Sequence, residues 1–261
     1  MKVITLSNMK GGVAKSITSV ALANGLHDKG YRVLLCDMDP QSNAAFMSGL
    51  DVLEVDLTLF DIFKDSFGGE ADIKEAILPV RFGFDVAISG LKATAADMAF
   101  AQQMGRELVL KEVLKPIQDN YDFVICDTSP NLGILTTAAA VAADFMIVPM
   151  TADPFALSGA TQLDAYMRNI RKYYNPDLRV LGILLTMYNN RSTLAKSLEA
   201  VIQSTAADMD TEVFNTRIRR AQALQDAASV QQDMYATAAK AKATQDYKEF
   251  VAEVLQRIER R

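Results

Sequence analysis

The sequence predicts an α/β fold in which a doubly wound, mostly parallel sheet carries helices on both faces. Short apolar runs alternate with stretches of helical periodicity along the chain, a pattern typical of parallel strands joined by right-handed crossovers. A glycine-rich stretch follows the first apolar run, and two later runs each end in an aspartate. Ligands of such sheets bind at the carboxyl ends of the strands, so we expect the binding site there.

The composition is that of a soluble globular protein: half of the 261 residues are hydrophobic and 23% are charged. No linker-like stretch divides the chain, so we expect a single domain over residues 1–261. No apolar run approaches the roughly 18 residues that cross a bilayer, and no signal peptide precedes the first strand, so we expect a cytoplasmic protein. The net charge of -5 argues against a polyanion-binding surface over the whole protein, although a local basic patch can still bind DNA.

The chain contains few cysteine and histidine residues from which a catalytic or metal site could be built. Cys36 and Cys126 each end an apolar run and precede an aspartate, so we interpret both as buried strand residues. His27 is the only histidine, which disfavours a nucleophile activated by histidine.

The glycine-rich stretch, residues 7–16, reads S-N-M-K-G-G-V-A-K-S and joins the first strand to the first helical pattern. Successive backbone N–H groups in such a turn, together with the positive end of a helix dipole, hold a phosphate. Lys15 adds a full positive charge, and Ser16 supplies a hydroxyl suited to a phosphate-bound Mg²⁺. The general pattern G-x-x-x-x-G-K-[ST] is not matched, because Met9 and Ala14 stand at its glycine positions. A residue with a Cβ disfavours positive φ, so we expect a negative φ at Ala14.

Acidic residues end two further apolar runs. Residues 32–36 lead into Asp37 and Asp39, and residues 121–126 lead into Asp127. Carboxylates at the ends of parallel strands lie where a magnesium ion bound to phosphates would need them. Asp37 and Asp39 are open to separate roles, one facing the metal shell and the other a water molecule or a partner subunit.

The remaining elements are predicted from periodicity alone. The predicted helices are 58–63, 72–77, 95–103, 106–117, 155–173, 194–204 and 239–260, and the predicted strands are 84–89, 145–149, 180–186 and 212–214. The last helix carries an apolar stripe that includes Tyr247, Phe250 and Val254. This stripe can pack on the sheet or lie on a membrane, and its mixed-charge polar face favours the sheet.

Four motifs resemble one known family. K-G-G-V-A-K-S in residues 10–16 resembles the deviant Walker A motif of the ParA and MinD class of P-loop ATPases. R-V-L-L-C-D-M-D-P-Q-S-N in residues 32–43, the acidic strand of residues 121–133 and L-L-T-M followed by an arginine in residues 184–191 resemble the ParA/Soj partition ATPases. The D-P-Q element separates the chain from MinD.

The resemblance implies a P-loop NTPase fold, ATP and Mg²⁺ as cofactors, and a role for each matching residue. Lys15 would bind the phosphates, Lys10 would reach across a dimer to the partner's ATP, and Asp39 would position the attacking water. Ser16, Asp37 and Asp127 would hold the metal, the two aspartates in its outer shell. The residues implied to line ATP are Lys10, Gly11, Gly12, Val13, Ala14, Lys15, Ser16 and Ile17.

The resemblance also implies an ATP-bound sandwich dimer that binds duplex DNA non-specifically and is stimulated by a ParB-like partner, and hence a nucleoid-associated protein. Arg191 and Arg220 match family arginines that bind DNA, and solvated surface charge is the alternative for them. The start at the first strand resembles the short Soj-like subgroup, without an N-terminal helix-turn-helix extension. Residues 216–223 depart from the family element P-R-N-x-R-[LF]-[SA]-E-A, which leaves the base contacts open.

Two other functions remain open at this stage. One is a MinD-like membrane-surface ATPase that positions a cellular complex and binds lipid through its last helix. The other is a nucleotide-gated switch with little turnover.

Overall fold

The computed structural model describes residues 1–69, 71–153, 156–189 and 192–260. Within these ranges a seven-stranded sheet has the order β3-β4-β2-β5-β1-β6-β7. Every pairing is parallel except the short antiparallel edge between β3 and β4. The strands are β1 (Lys2–Leu6), β2 (Val33–Asp37), β3 (Leu78–Pro79), β4 (Asp85–Ile88), β5 (Phe123–Asp127), β6 (Phe145–Thr151) and β7 (Arg179–Thr186).

Helices cover both faces of the sheet, as the sequence predicts. The α-helices are α1 (Lys15–His27), α2 (Asn43–Met47), α3 (Leu59–Ser66), α4 (Ala96–Ala99), α5 (Val109–Leu114), α6 (Ile134–Ala142), α7 (Ala156–Tyr173), α8 (Thr193–Asp208), α9 (Gln222–Ser229), α10 (Met234–Thr237) and α11 (Lys242–Glu259). Short 3₁₀ turns occupy Ile73–Ala76, Leu91–Ala95, Arg106–Leu108 and Lys115–Ile117. The two hydrophobic cores lie on opposite faces, because neighbouring strand residues such as Val3 and Ile4 point to different sides.

Several predicted elements are shorter or different. The helix predicted at 106–117 is a 3₁₀ turn, the short α5 and a second 3₁₀ turn that contains Pro116, since proline lacks the N–H that would continue the α-helix. The helix predicted at 95–103 shrinks to the four residues of α4, and 72–77 is a 3₁₀ turn. The strand predicted at 212–214 is reduced to a bridge between Ile183 and Val213.

Cys36 and Cys126 are neighbours on adjacent strands. β2 and β5 pair in register from Val33 with Phe123 to Asp37 with Asp127, which sets the two cysteines side by side. Both are buried free thiols, so their interpretation as strand residues is confirmed.

The apolar stripe of α11 packs inside the molecule. Tyr247, Phe250, Val251 and Val254 are buried in the core that also contains α1 residues and Leu181 of β7. Packing on the sheet is therefore confirmed for these four residues. In the described parts of the chain, none of the helices combines the length and the apolarity needed to cross a membrane.

Arg257 joins α11 to the sheet. Its Nη1 donates to the carbonyl oxygen of Leu181 at 2.9 Å, and its Nη2 donates to that of Val213 at 2.9 Å and to Glu253 at 2.8 Å. The guanidinium also lies 4.0 Å from the centre of the Phe214 ring. One buried cation thus connects the last helix, the strand β7 and the segment that follows α8.

We expect Arg257→Ala to lower the free energy of unfolding by about 3 kcal/mol, because a buried and a partly buried carbonyl group lose their donor and Glu253 loses its cation. Chemical denaturation measures the change. Arg260→Ala, on the exposed end of the same helix, is the control and should change stability by less than about 0.5 kcal/mol. Equal effects of the two substitutions would contradict this account.

Candidate functional site

The ends of three adjacent strands meet at the glycine-rich loop. In the sheet register Leu6 of β1 pairs with Asp127 of β5, and Asp127 pairs with Asp37 of β2. The loop leaves β1 at this level and enters α1 at Lys15. The predicted convergence of both acidic strand ends on the loop is therefore present in the fold.

Lys15 is enclosed by the loop that precedes it. Its side chain is buried, and its Nζ donates to the carbonyl oxygens of Asn8 at 3.1 Å and Lys10 at 3.2 Å. Burial lowers the pKa of Lys15, and the charges of Asp127 and Asp39 oppose that shift. The loop thus holds a cation beside two carboxylates, at a helix N-terminus suited to an anion.

The other loop residues form an open turn. Gly11 and Gly12 are exposed, and Gly12 has a φ of 73°. Val13 is buried, and its carbonyl oxygen accepts a bond from Thr186 Oγ1 at 3.0 Å. Ile17 lies in the first turn of α1, at the wall of a cavity described below.

The expectation of a negative φ at Ala14 is wrong, since its φ is 61°. The last loop residue must turn left-handed so that α1 can start, and both the N–H and the hydroxyl of Thr18 donate to the Ala14 carbonyl oxygen. The left-handed conformation costs a residue with a Cβ about 1–2 kcal/mol. Ser42 and Met187, elsewhere around the site, also have positive φ, at 50° and 49°. Strained backbone is commonly found at functional sites.

The two buried carboxylates differ in how they are hydrogen-bonded. Asp37 accepts bonds from the backbone N–H groups of Asp39 at 3.1 Å and Ala45 at 2.9 Å. Asp127 Oδ1 accepts from Ser19 Oγ at 2.8 Å, whereas its Oδ2 is buried without a hydrogen-bond donor among the described residues. Burial raises the pKa of Asp127 to about 6, against the lowering effect of the hydroxyls of Ser16 and Ser19. Burial and the neighbouring Asp127 also raise the pKa of Asp37 well above its usual range.

This donor set fits a magnesium ion that takes most of its ligands from elsewhere. The described residues contain no group of three His, Cys, Asp or Glu side chains that could hold a metal without help. Mg²⁺ keeps several waters and uses few protein ligands when it is bound together with phosphates. The Ser16 hydroxyl is an oxygen ligand of the kind it needs, and the unpartnered Asp127 oxygen beside it can accept a hydrogen bond from a metal-bound water.

Lys10 points away from Lys15. Its Nζ pairs with Asp153 and donates to Thr151 Oγ1 at 3.3 Å, both at the end of β6. About a third of the Lys10 side chain is exposed to solvent. Its ammonium is therefore directed to the end of β6 and not to the loop that encloses Lys15.

Asp39 lies on the other side of the loop, at a cavity with a mixed polar and apolar wall. It is half-buried, and its Oδ1 accepts from the backbone N–H of Gln41 at 3.0 Å. The cavity has a volume of about 250 Å³ and also includes Asp97, Ser129 and Asn131. A carboxylate at a cavity that also contains other polar side chains can orient a water molecule.

A larger, mostly apolar cavity of about 420 Å³ begins at Gly12, Ala14 and Ile17. Its size suits a nucleoside. Sequence reasoning missed most of its wall, because no motif marks those residues. Its apolar side chains include Phe46, Met47, Met187, Ile218 and Leu224.

Of the two arginines predicted to bind DNA, the structure describes only Arg220. Arg191 lies outside the described residues. Arg220 is exposed, touches Met187 Sδ at 3.9 Å and borders both the apolar cavity and a polar cavity beside Lys10. Its neighbours Arg217 and Arg219 are paired with Glu199 and Asp246.

A strand, a phosphate-type loop with a buried lysine and a helix, set beside two acidic strand ends, define a P-loop nucleoside triphosphatase. Residues 1–180 match the family model described as an AAA domain. The sporulation initiation inhibitor protein Soj of Bacillus subtilis is 35% identical over 229 residues, 87% of this chain and 88% of that protein. The chromosome partitioning protein ParA of Caulobacter vibrioides is 32% identical over 260 residues, 98% of this chain and 95% of that protein. The chain belongs to the ParA/Soj family of partition ATPases.

A solved structure supports the fold over nearly the whole chain. The crystal structure of cobyrinic acid a,c-diamide synthase from Mycobacterium smegmatis, with bound ADP and magnesium, is similar with a TM-score of 0.85. The two proteins share 27% identity over 99% of this chain and 96% of that one. The P-loop fold predicted from the sequence is therefore confirmed.

We expect Asp127→Asn to stabilise the nucleotide-free protein at pH 7, because it removes a buried charge that has an unpartnered oxygen. The gain should be about 2 kcal/mol and should shrink as the pH falls from 6 towards 4. The gain shrinks in this direction because the pKa of Asp127 in the folded protein is about 6, above the usual 3.8. As the pH falls below 6, the wild-type carboxyl becomes protonated and no longer destabilises the fold.

Thermal unfolding of both proteins across this pH range measures the difference. Asp119→Asn, at an exposed position before β5, is the control and should show no such pH-dependent gain. A variant less stable than the wild type at pH 7 would contradict the account.

Proposed function

We propose that this protein is an ATP-dependent DNA-partition ATPase of the chromosome or plasmid segregation type. ATP drives formation of a sandwich dimer, the dimer binds duplex DNA non-specifically, and a ParB-like partner stimulates hydrolysis and release. The observation that carries the proposal is the buried Lys15 ammonium, enclosed by its loop and facing the carboxylates of two adjacent strand ends. This arrangement suits a nucleoside triphosphate bound with magnesium.

The phosphates are held by Lys15 and by the backbone N–H groups of the loop from Gly11 to Ser16. A Cβ built on Gly11 or Gly12 meets no described atom within 4 Å, so the space beside these glycines is open to a phosphate. Ser16 would hold magnesium directly, with Asp37 and Asp127 behind it. When bound, magnesium neutralises charge on the phosphate oxygens.

Hydrolysis then depends on positioning. Asp39, half-buried at its cavity, orients the attacking water, and lysine side chains stabilise the charge that develops on the phosphate. The first is Lys15 of the same chain and the second is Lys10 of a second copy. Because Lys10 is held by Asp153 in the single chain, we expect slow hydrolysis until a dimer and a partner complete the site.

Lys10 supports the dimer because it is anchored yet accessible. Its backbone N–H donates to Asn8 Oδ1 at 2.9 Å, so its backbone is fixed by the loop while its ammonium reaches outward. A second copy that approaches this edge of the sheet brings a negatively charged triphosphate, and this charge competes with Asp153 for the ammonium.

DNA binding rests on local charge, since the whole chain is acidic. Arg220 is exposed at the edge of the nucleotide cavity, whereas Arg217 and Arg219 are committed to ion pairs. Together with Arg191 it forms the basic contact proposed for DNA phosphates, and the protein is then cytoplasmic and associated with the nucleoid.

A membrane-surface ATPase has less support, because four residues of the α11 stripe are buried in the core. A switch with little turnover makes a different prediction. It would bind ATP without releasing phosphate in the presence of DNA and the partner, which a phosphate-release assay detects.

We expect Lys15→Gln and Lys10→Gln to separate the two lysine roles. Loss of the Lys15 charge should weaken ATP binding at least about 100-fold, since charge-assisted bonds to phosphate are lost. Lys10→Gln should bind ATP within about threefold of the wild type, because this side chain does not face its own phosphate, but should lose ATP-dependent dimerisation and hydrolysis.

Calorimetry with MgATP, sedimentation and phosphate release measure these effects, and thermal unfolding checks that both variants fold. Undiminished ATP binding by Lys15→Gln would overturn the assignment of the loop.

We expect the double substitution Arg191→Ala and Arg220→Ala to weaken DNA binding by the ATP-bound protein. The slope of log affinity against log salt should become shallower by about 2, because two phosphate contacts are lost. Fluorescence anisotropy with duplexes of two unrelated sequences, at several salt concentrations, measures both quantities.

The matched control is Lys29→Ala with Lys111→Ala, two exposed lysines on other parts of the surface. If both double variants lost the same amount of DNA affinity, the arginines would have no specific role, and the change in net charge would account for the loss.

A further inference from the structure

Thr186 is a buried threonine whose hydroxyl group contacts the glycine-rich loop. It ends β7 within the segment L-L-T-M, to which the proposed nucleotide site gives no role. Its Oγ1 donates to the carbonyl oxygen of Val13 at 3.0 Å and lies 3.3 Å from that of Met150. A hydroxyl group has one proton to donate, and the shorter of the two contacts is the one to the loop.

The side chain of Thr186 has little freedom to move. β7 pairs with β6 at this level, where Thr186 lies opposite Thr151, and Thr186 is fully buried. A β-branched side chain also has few accessible χ1 rotamers. The hydroxyl group is therefore a fixed point that holds the loop, although Thr186 and Val13 are 173 positions apart in the sequence.

The bond from Thr186 fixes the orientation of the peptide group between Val13 and Ala14. This peptide is trans, and the C=O and N–H groups of a planar trans peptide point in opposite directions. Because the Val13 carbonyl group is directed at Thr186, the Ala14 N–H points away from β7, and none of the described residues accepts a hydrogen bond from it. Gly12 and Ala14, on either side of Val13, both line the apolar cavity at the loop. The Ala14 N–H is therefore available to a ligand held by the loop.

The alanine at position 14 opposes this orientation. Its φ is 61°, whereas a residue with a Cβ prefers a negative φ. Two bonds from Thr18 hold the Ala14 carbonyl oxygen at the start of α1, so a change of φ at Ala14 has to rotate the preceding peptide group. That rotation would turn the Val13 carbonyl group away from Thr186 and redirect the Ala14 N–H. The Thr186 hydroxyl thus acts against the preference of the alanine.

We propose that Thr186 is a positioning residue for phosphate binding. Its hydroxyl group holds the Val13 carbonyl group, and the Ala14 N–H therefore stays available to the phosphate chain of the nucleotide. Backbone N–H groups of a turn bind a phosphate when they point to it together. Thr186 acts through the loop and not by contact with the phosphates. This inference rests on the proposed nucleotide site and adds a residue that organises its loop.

Substitution of Thr186 separates the hydroxyl group from the rest of the side chain. Thr186→Val keeps the β-branched shape, Thr186→Ala is a second variant without the hydroxyl group, and Thr186→Ser retains it. Thr211→Val is the matched control, because Thr211 is also buried and its Oγ1 donates to the carbonyl oxygen of Val180 at 2.8 Å, at the other end of β7. Calorimetry of the full chain with the magnesium complex of AMPPNP measures binding without turnover, and thermal unfolding checks that each variant folds.

We expect Thr186→Val and Thr186→Ala to weaken AMPPNP binding about tenfold, which corresponds to the loss of one charge-assisted bond to phosphate. Thr186→Ser should restore binding to within about threefold of the wild type, and Thr211→Val should stay within about twofold. Thr186→Val and Thr211→Val should lower the unfolding temperature by a similar amount, about 3 °C, since each removes one buried hydroxyl donor. A loss of binding in Thr186→Val alone then does not come from lower stability.

A double-mutant cycle with Ala14→Gly tests whether Thr186 acts through the loop. Glycine adopts a positive φ without the cost that alanine has, so it does not drive the peptide group to rotate. When Ala14→Gly is present, we expect Thr186→Val to weaken AMPPNP binding about threefold or less. A tenfold loss that is the same with alanine and with glycine at this position would contradict the proposed route.

Other outcomes would also overturn the inference, and they differ from a failure of the proposed function. If Thr186→Val and Thr186→Ala bind AMPPNP as the wild type does, the hydroxyl group does not position the loop. The same conclusion follows if Thr186→Ser or Thr211→Val loses as much affinity as Thr186→Val. In these cases the nucleotide site stands as long as binding requires Lys15. If the wild type does not bind AMPPNP, the proposed function fails and the inference fails with it.

Discussion

One ammonium group and two carboxylates are buried at the carboxyl ends of β1, β2 and β5, and the rest of the site depends on how these charges are balanced. Removing a charged group from water costs several kcal/mol unless it is paired and hydrogen-bonded. Here the pairing is incomplete: burial lowers the pKa of Lys15 and raises that of Asp37 and Asp127. Each group is pushed towards its neutral form, which indicates that the protein alone does not supply all the partners of this site.

The parallel sheet fixes the positions of the two buried carboxylates. Because Leu6, Asp127 and Asp37 share one level of the register, the two carboxylates cannot separate without breaking the ladder between β2 and β5. The left-handed residue Ala14 contributes to the same arrangement, since its conformation lets α1 start immediately beside Asp127. Packing of buried strands against helices on both faces offsets this local cost, as is usual for strained functional sites.

The sequence was sufficient to predict the features that depend on local pattern. The alternating apolar runs predicted the parallel sheet, and the aspartates after residues 36 and 126 predicted two acidic strand ends at the loop. The left-handed φ of Ala14 was not predictable from residue preference, because closure of the loop onto α1 overrides the preference of alanine. The helix predicted at 106–117 is interrupted because Pro116 cannot continue an α-helix.

The wall of the apolar cavity beside the loop was not predictable for a different reason. Phe46, Met187, Ile218 and Leu224 come from four separate segments, and nothing in their local sequence marks them as neighbours. Tertiary contacts bring them together, and Arg257 is central among these contacts, since it anchors Val213 and, through Glu253, the backbone N–H of Thr216. From Thr216 the chain runs directly into the Ile218 to Ala221 wall. Tyr247 of α11 also lines the cavity, so a helix far from the glycine-rich loop in sequence helps to build this wall.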